Sequence, residues 1–104
     1  MPQYDLGVLS ATYKLTGNEG TLKAELRNGA LNDIEGFEVQ LNVFGEEQAP
    51  VQLDNFVMSG DNTTINVPFT FAEDADRSKG VMVTITKLNG ATDDAPQNNS
   101  IAAT

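Results

Sequence analysis

The chain has 104 residues, 39% hydrophobic and 20% charged, which suits one domain burying roughly 60–65% of its unfolded surface. Fifteen Asp and Glu face only six Lys and Arg, for a net charge of −9, and cations so few and scattered from Lys14 to Lys87 exclude a nucleic-acid groove and disfavour an anionic membrane surface. Cysteine and histidine are both absent, which removes disulfides, thiolate and imidazole metal sites, the Ser-His-Asp triad and the usual general base.

The opening MPQYDLGVLS has neither a basic n-region nor an apolar h-region of signal-peptide type. No apolar run approaches the ~20 residues of a membrane helix. The chain is expected to be one module, residues 1–104, cut from a longer protein.

From there the apolar period is two almost throughout, and no amphipathic helix emerges. The first strand, 4–15, changes parity: Leu6 and Val8 lie on one phase, Leu9, Ala11, Tyr13 and Leu15 on the other. Side chains alternate strictly along a strand, so this change demands a bulge, a bend or a switch of sheet near Val8. Leu22, Ala24 and Leu26 alternate with Lys23, Glu25 and Arg27 over 21–27; Phe37, Val39, Leu41 and Val43 alternate with polar residues over 37–44. A strand over 51–58 follows the loop GEEQAP. Over 63–71, Ile65, Val67, Phe69 and Phe71 alternate with Asn66, Pro68 and Thr70; Pro68 removes a ladder donor, so this strand belongs at an edge or at a bulge. Val81, Val83 and Ile85 mark a strand over 81–88, and the last strand is 99–104.

Polar, Gly-containing loops separate these runs: TGNEG, NGALNDIEG, GEEQAP, SGDN, AEDADRSKG and NGATDDAPQN. Seven short strands at this spacing predict an all-β, seven-stranded antiparallel β-sandwich, an immunoglobulin or fibronectin type III-like Greek key. Strands 4–15, 21–27 and 63–71 form one sheet of that arrangement, and 51–58, 37–44, 81–88 and 99–104 the other.

Three stretches carry a resemblance: YDLGVLSATY in the first strand, GTLKAELRNGALNDIEGFEVQLNVFG through the second and third, and NGATDDAPQNNS before the last. Together they resemble the CARDB-type domains, the cell-adhesion-related domains of bacteria. Asp5, Asn28, Asn98 and Asn99 occupy that pattern's places, with Asn28-Gly29-Ala30 one residue shorter than Asn-x-Gly. The resemblance implies a fibronectin-like sandwich serving as a spacer, docking or adhesion module of a secreted, periplasmic or cell-surface bacterial protein. It carries over no catalytic residue. The acid that often precedes the paired asparagines is replaced here by Ala95, Pro96 and Gln97, which weakens any cation site at that position.

Several residues present themselves as sites. Glu73, Asp74, Asp76 and Ser78 alternate like the start of a calcium loop, but Gly80 falls one place late and Ile85 stands where a bidentate Glu belongs. Asp93 and Asp94 with Asn98 form a second oxygen-rich stretch, stiffened by Pro96. Solvated acidic loops are the commoner explanation of both, so no cofactor is expected. Asn98 and Asn99 are read as backbone-binding residues that pin the long connection before the last strand, with Asn28, Pro68 and Pro96 as further structural positions.

The sequons NTT and NNS are accidental in a bacterial protein. The acid pairs Glu35 with Glu38 and Glu46 with Glu47 lack convergent placement, and with no Trp to stack a sugar the chain is read as no enzyme. Tyr4, Phe44 and Phe56-Val57-Met58 fit the alternation least, and some of them are candidates for an exposed contact patch, core packing being the expected fate of Phe56 or Val57 because a strand must turn one of them inward. The expected partners are neighbouring domains of the same chain, and protein or glycan. A dedicated recognition module using the acidic loops at 72–80 and 89–98 is the alternative to the spacer, docking or adhesion reading.

Overall fold

The computed structural model describes residues 4–88 and 99–104. β1 (Leu6–Thr16), β2 (Glu19–Asn28) and β6 (Asn62–Thr70) form one antiparallel sheet in the order β1-β2-β6. The other holds β4 (Glu46–Glu47), β3 (Ile34–Val43), β7 (Val81–Leu88) and β8 (Ser100–Ala103), with β5 (Val51–Val57) also paired to β3. The all-β sandwich and its division of strands between two sheets stand as the sequence predicts. Eight strands are described instead of seven, because Phe44 and Gly45 make a two-residue turn and return Glu46–Glu47 onto Val43 and Asn42. That turn lies inside the predicted loop GEEQAP and its preceding strand.

Alternation builds the core. The burial of β2 alternates residue by residue, with Leu22, Ala24 and Leu26 inward. These meet Ile65, Val67 and Phe69 of β6 in their own sheet, and Phe37, Val39, Leu41, Val43, Val81, Val83 and Ile85 from the facing sheet in a single cluster. Each fully buried Leu, Val or Phe contributes about 1.5–3 kcal/mol from water exclusion. Phe69 packs against its paired neighbour Gly20, so closely that a Cβ at Gly20 would overlap the ring.

β1 carries the bulge its parity demands. Val8 pairs with Leu26 and Ser10 with Glu25, leaving Leu9 as the extra residue. Leu9 is half exposed while Ala11 is buried, so Leu9 does not join the inward set of Ala11, Tyr13 and Leu15. The strand does not change sheet: its pairing with β2 continues to Thr16. Beyond the bulge its outer edge instead receives the C-terminus, with Tyr13 N donating to Thr104 O (3.2 Å) and Thr104 N to Ala11 O (3.1 Å). This is the bond pattern of parallel neighbours and closes one flank of the sandwich. Pro68 lies on β6, which is an edge of its sheet. The opposite flank is bridged by Asn55 Nδ2 donating to Thr63 Oγ1 at 3.1 Å.

Asn28, the last residue of β2, is completely buried. Its Nδ2 donates to Val57 O and Asn32 O, both at 2.9 Å, and its Oδ1 accepts from Ala30 N at 3.1 Å. Its backbone N donates to Asp61 O and its carbonyl accepts from Gly60 N. The residue thus joins the end of β2, the β2–β3 loop and the end of β5 in the other sheet. Asn28→Ala removes three side-chain bonds at about 1 kcal/mol each and is expected to cost about 3 kcal/mol. At roughly 4–8 °C per kcal/mol, Tm falls by more than about 10 °C. A thermal melt showing a fall of only a degree or two would refute the cross-sheet role.

Candidate functional site

The pole opposite Asn28 is built from aromatic rings. Phe44 and Phe71 meet edge to face at 5.1 Å, Tyr13 adds an edge contact to Phe44 at 6.3 Å, and Phe69 lies 6.3 Å from Phe71. Arg77 closes the stack, its guanidinium 5.2 Å from the Phe71 ring centre. Phe44 is therefore core, 3% exposed, and not part of a contact patch. It sits in the left-handed region at φ 52°, the one non-glycine residue with positive φ among those described, followed by Gly45 at φ 88°. Two positive φ values in a two-residue loop are the geometry of a type I′ turn, which normally selects Asn-Gly. The non-glycine conformation costs about 1–2 kcal/mol, and burial of the ring offsets it.

The acidic loop at this pole is organised by Asp76. Its Oδ1 accepts from Ser78 N at 3.0 Å and from Ser78 Oγ at 2.5 Å, capping the short 3₁₀ turn Arg77–Lys79. The Ser78 hydroxyl first, then the Ser78 amide, hold the Asp76 carboxyl below the ordinary carboxylate range. Asp74 is exposed in the preceding turn. Among the described residues no three acidic side chains gather as a cation site, and Asp76 is engaged with its own loop. Asp93, Asp94, Pro96 and Asn98 lie outside the described residues. Asn99 immediately precedes β8 and is held by its main chain, its carbonyl accepting from Ile85 N at 2.7 Å. Its side-chain Oδ1 is buried and accepts no hydrogen bond from the described residues, so that oxygen does not pin the backbone as expected from the sequence.

The paired acids fare differently from each other. The register shift between Glu35 and Phe37 puts Glu35 and Glu38 on one outer face, where Glu38 Oε1 accepts from Thr86 Oγ1 at 2.8 Å. Glu46 and Glu47 are both exposed on β4. An open depression of about 660 Å³ borders Lys14, Thr16, Thr21, Gln48 and Thr70; Gln48 Nε2 donates there to Thr70 O at 3.2 Å, covering the end of the β6 edge. Of the remaining patch residues, Tyr4 packs partly against the core and Val57 is buried. Phe56 and Met58 are exposed, 55% and 54%. Leu31, 56% exposed, was not singled out by periodicity because it lies in a loop.

No family model matches the chain, and no curated protein matches it. Among solved structures, the crystal structure of the CARDB domain of the PF1109 protein from Pyrococcus furiosus, in complex with di-metal ions, superposes with a TM-score of 0.62. The match covers 97% of this chain and 85% of that one at 11% identity. The chain is a β-sandwich of CARDB-like fold. Among the described residues no helix is long and apolar enough to cross a membrane.

Asp76 binds its cap as a carboxylate, so its contribution is present above the ordinary carboxyl pKa of 3.8 and is lost as pH falls through its lowered value. Carbon-detected NMR titration is expected to place its midpoint below the ordinary carboxyl pKa of 3.8, and Ser78→Ala to raise it. An unchanged midpoint in Ser78→Ala would show that the Ser78 hydroxyl is not the cause.

Proposed function

We propose that the chain is a non-catalytic module that spaces and docks other domains of one multidomain protein, in a secreted, periplasmic or cell-surface bacterial setting. The observation that carries the reading is the path of the chain. β1 begins at the Asn28 pole, opposite the end of β2. β8 pairs antiparallel to β7 and ends beside Val81, and Thr104, which follows it, reaches β1 between Ala11 and Tyr13. First and last strands therefore run side by side in the same direction along a body of 44 × 21 × 21 Å. The chain enters at one pole and leaves toward the other, the polarity that strings domains in line. The CARDB-like fold and the motif resemblance support the same reading.

The reading includes no bound ion. The neighbouring CARDB structure is described with di-metal ions, but here Asp76 serves its own loop and the acid before the paired asparagines is missing. Calcium titrated calorimetrically to millimolar concentration is expected to give no saturable heat. Saturable heat abolished by Asp74→Asn with Asp76→Asn, or by Asp93→Asn with Asp94→Asn, would overturn this part.

For the in-line geometry, two copies joined head to tail by a short linker are expected to scatter X-rays as a rod close to twice the 44 Å axis. A compact side-by-side particle contradicts the spacer reading. Fractionation that finds the full-length natural protein in the cytosol contradicts its cellular setting.

A further inference from the structure

Leu31, Phe56 and Met58 are each more than half exposed to solvent. Phe56 lies on the outer side of β5, where exposure alternates along the strand, and Met58 follows one repeat later; Val57 between them is core. Leu31 comes to the same pole because its loop is tied to the end of β5: Asn28 Nδ2 bonds both Asn32 O and Val57 O, Ser59 N donates to Asp33 Oδ1, and Ser59 Oγ bonds Ala30 O. Exposed Phe and Met gathered at one place are the composition of an interface core, not of an ordinary surface.

The rim is acidic. Asp54 precedes Phe56 on the same side of β5, Glu35 is its partner across the β3 register, and Asp33 and Asp61 sit in the adjoining loops. Arg27 also reaches this pole, but its guanidinium is bound to Gly60 O at 3.0 Å and Asn62 Oδ1 at 3.2 Å. We infer that this pole docks a protein segment presenting apolar side chains flanked by Lys or Arg, the apolar groups covering Phe56, Met58 and Leu31 and the cations meeting Glu35 and Asp54. A second copy of this chain fits poorly, since a two-fold contact through the patch would set the same carboxylates against each other on molecules of net charge −9. The inference deepens the docking half of the proposed function and rests on it; the in-line geometry is read separately by scattering and survives its failure.

The probe is a fluorescent peptide of alternating leucine and lysine, titrated into the 104-residue chain by anisotropy and mapped by amide NMR shifts. Binding is expected to perturb residues 31–35 and 54–61. Phe56→Ser with Met58→Ser, and separately Leu31→Ser, are expected to weaken it, the double variant at least tenfold, with the Tm nearly unchanged because these side chains are exposed. Glu35→Gln with Asp54→Asn is expected to weaken it and flatten its salt dependence. Equal affinity for wild type and the double variant would reduce binding to general charge attraction and overturn the proposal, as would no binding at all. Concentration-dependent self-association lost in Phe56→Ser with Met58→Ser would replace the basic partner with a second copy.

Discussion

Two sheets that meet only through apolar side chains are free to slide and splay at their ends, and the buried amide of Asn28 removes that freedom at one pole. A single side chain donates to the carbonyl of Val57 in the opposite sheet, donates to Asn32 in the loop that crosses between sheets, and accepts from Ala30. An aspartate would lack both donors, and a leucine would remove all three side-chain bonds. Because this one residue sets the positions of the β2–β3 loop and of the end of β5, the placement of Leu31, Phe56 and Met58 follows from it. The exposed patch is therefore presented by a rigid polar hub and not by free loops.

The other pole solves the same mechanical problem without a polar hub. Phe44 accepts an unfavourable backbone conformation to turn the chain after β3, and in exchange its ring locks Tyr13 and Phe71 together. Its amide donates to Gly80 O at 2.8 Å, so the turn also anchors the loop that Asp76 caps. Between the poles, the flanks close differently: Thr104 bonds β1 on one side, while Asn55 and Thr63 bridge the other by side chains alone. Backbone closure on the first flank leaves no open ladder there along Ala11–Tyr13, and Pro68 with Gln48 blunts the β6 edge on the second.

Strict alternation made most of this architecture legible. The parity change in β1 announced the bulge, and Pro68 announced an edge strand, because both rest on local rules that tertiary context cannot evade. What alternation could not say was which residue the bulge would expel: Leu9 looks as apolar as Leu15. The turn at Phe44 was hidden for a related reason, since a phenylalanine in left-handed conformation contradicts turn statistics and is held by contacts far away in sequence. The resemblance placed Asn28 in the pattern but not its bond to Val57, twenty-nine residues distant. The acidic alternation around Asp76 suggested ligands, whereas a carboxylate two residues before a serine is equally suited to cap a turn.

Charge placement adds the last constraint on how such a module meets a partner. Lys14, Lys23 and Arg27 are all exposed on the β1-β2-β6 sheet, against Glu19 and Glu25 as the carboxylates of those strands. That leaves three cations and thirteen carboxylates for the rest of the chain. A cationic partner approaching within a Debye length, about 8 Å at physiological salt, therefore finds one nearly neutral face and a strongly negative remainder. Steering of this kind favours the sheet that carries Glu35, Glu38 and Asp54, and on that sheet the exposed Phe56 lies among acids. Long-range charge selects the face, and the apolar side chains held by Asn28 select the place on it.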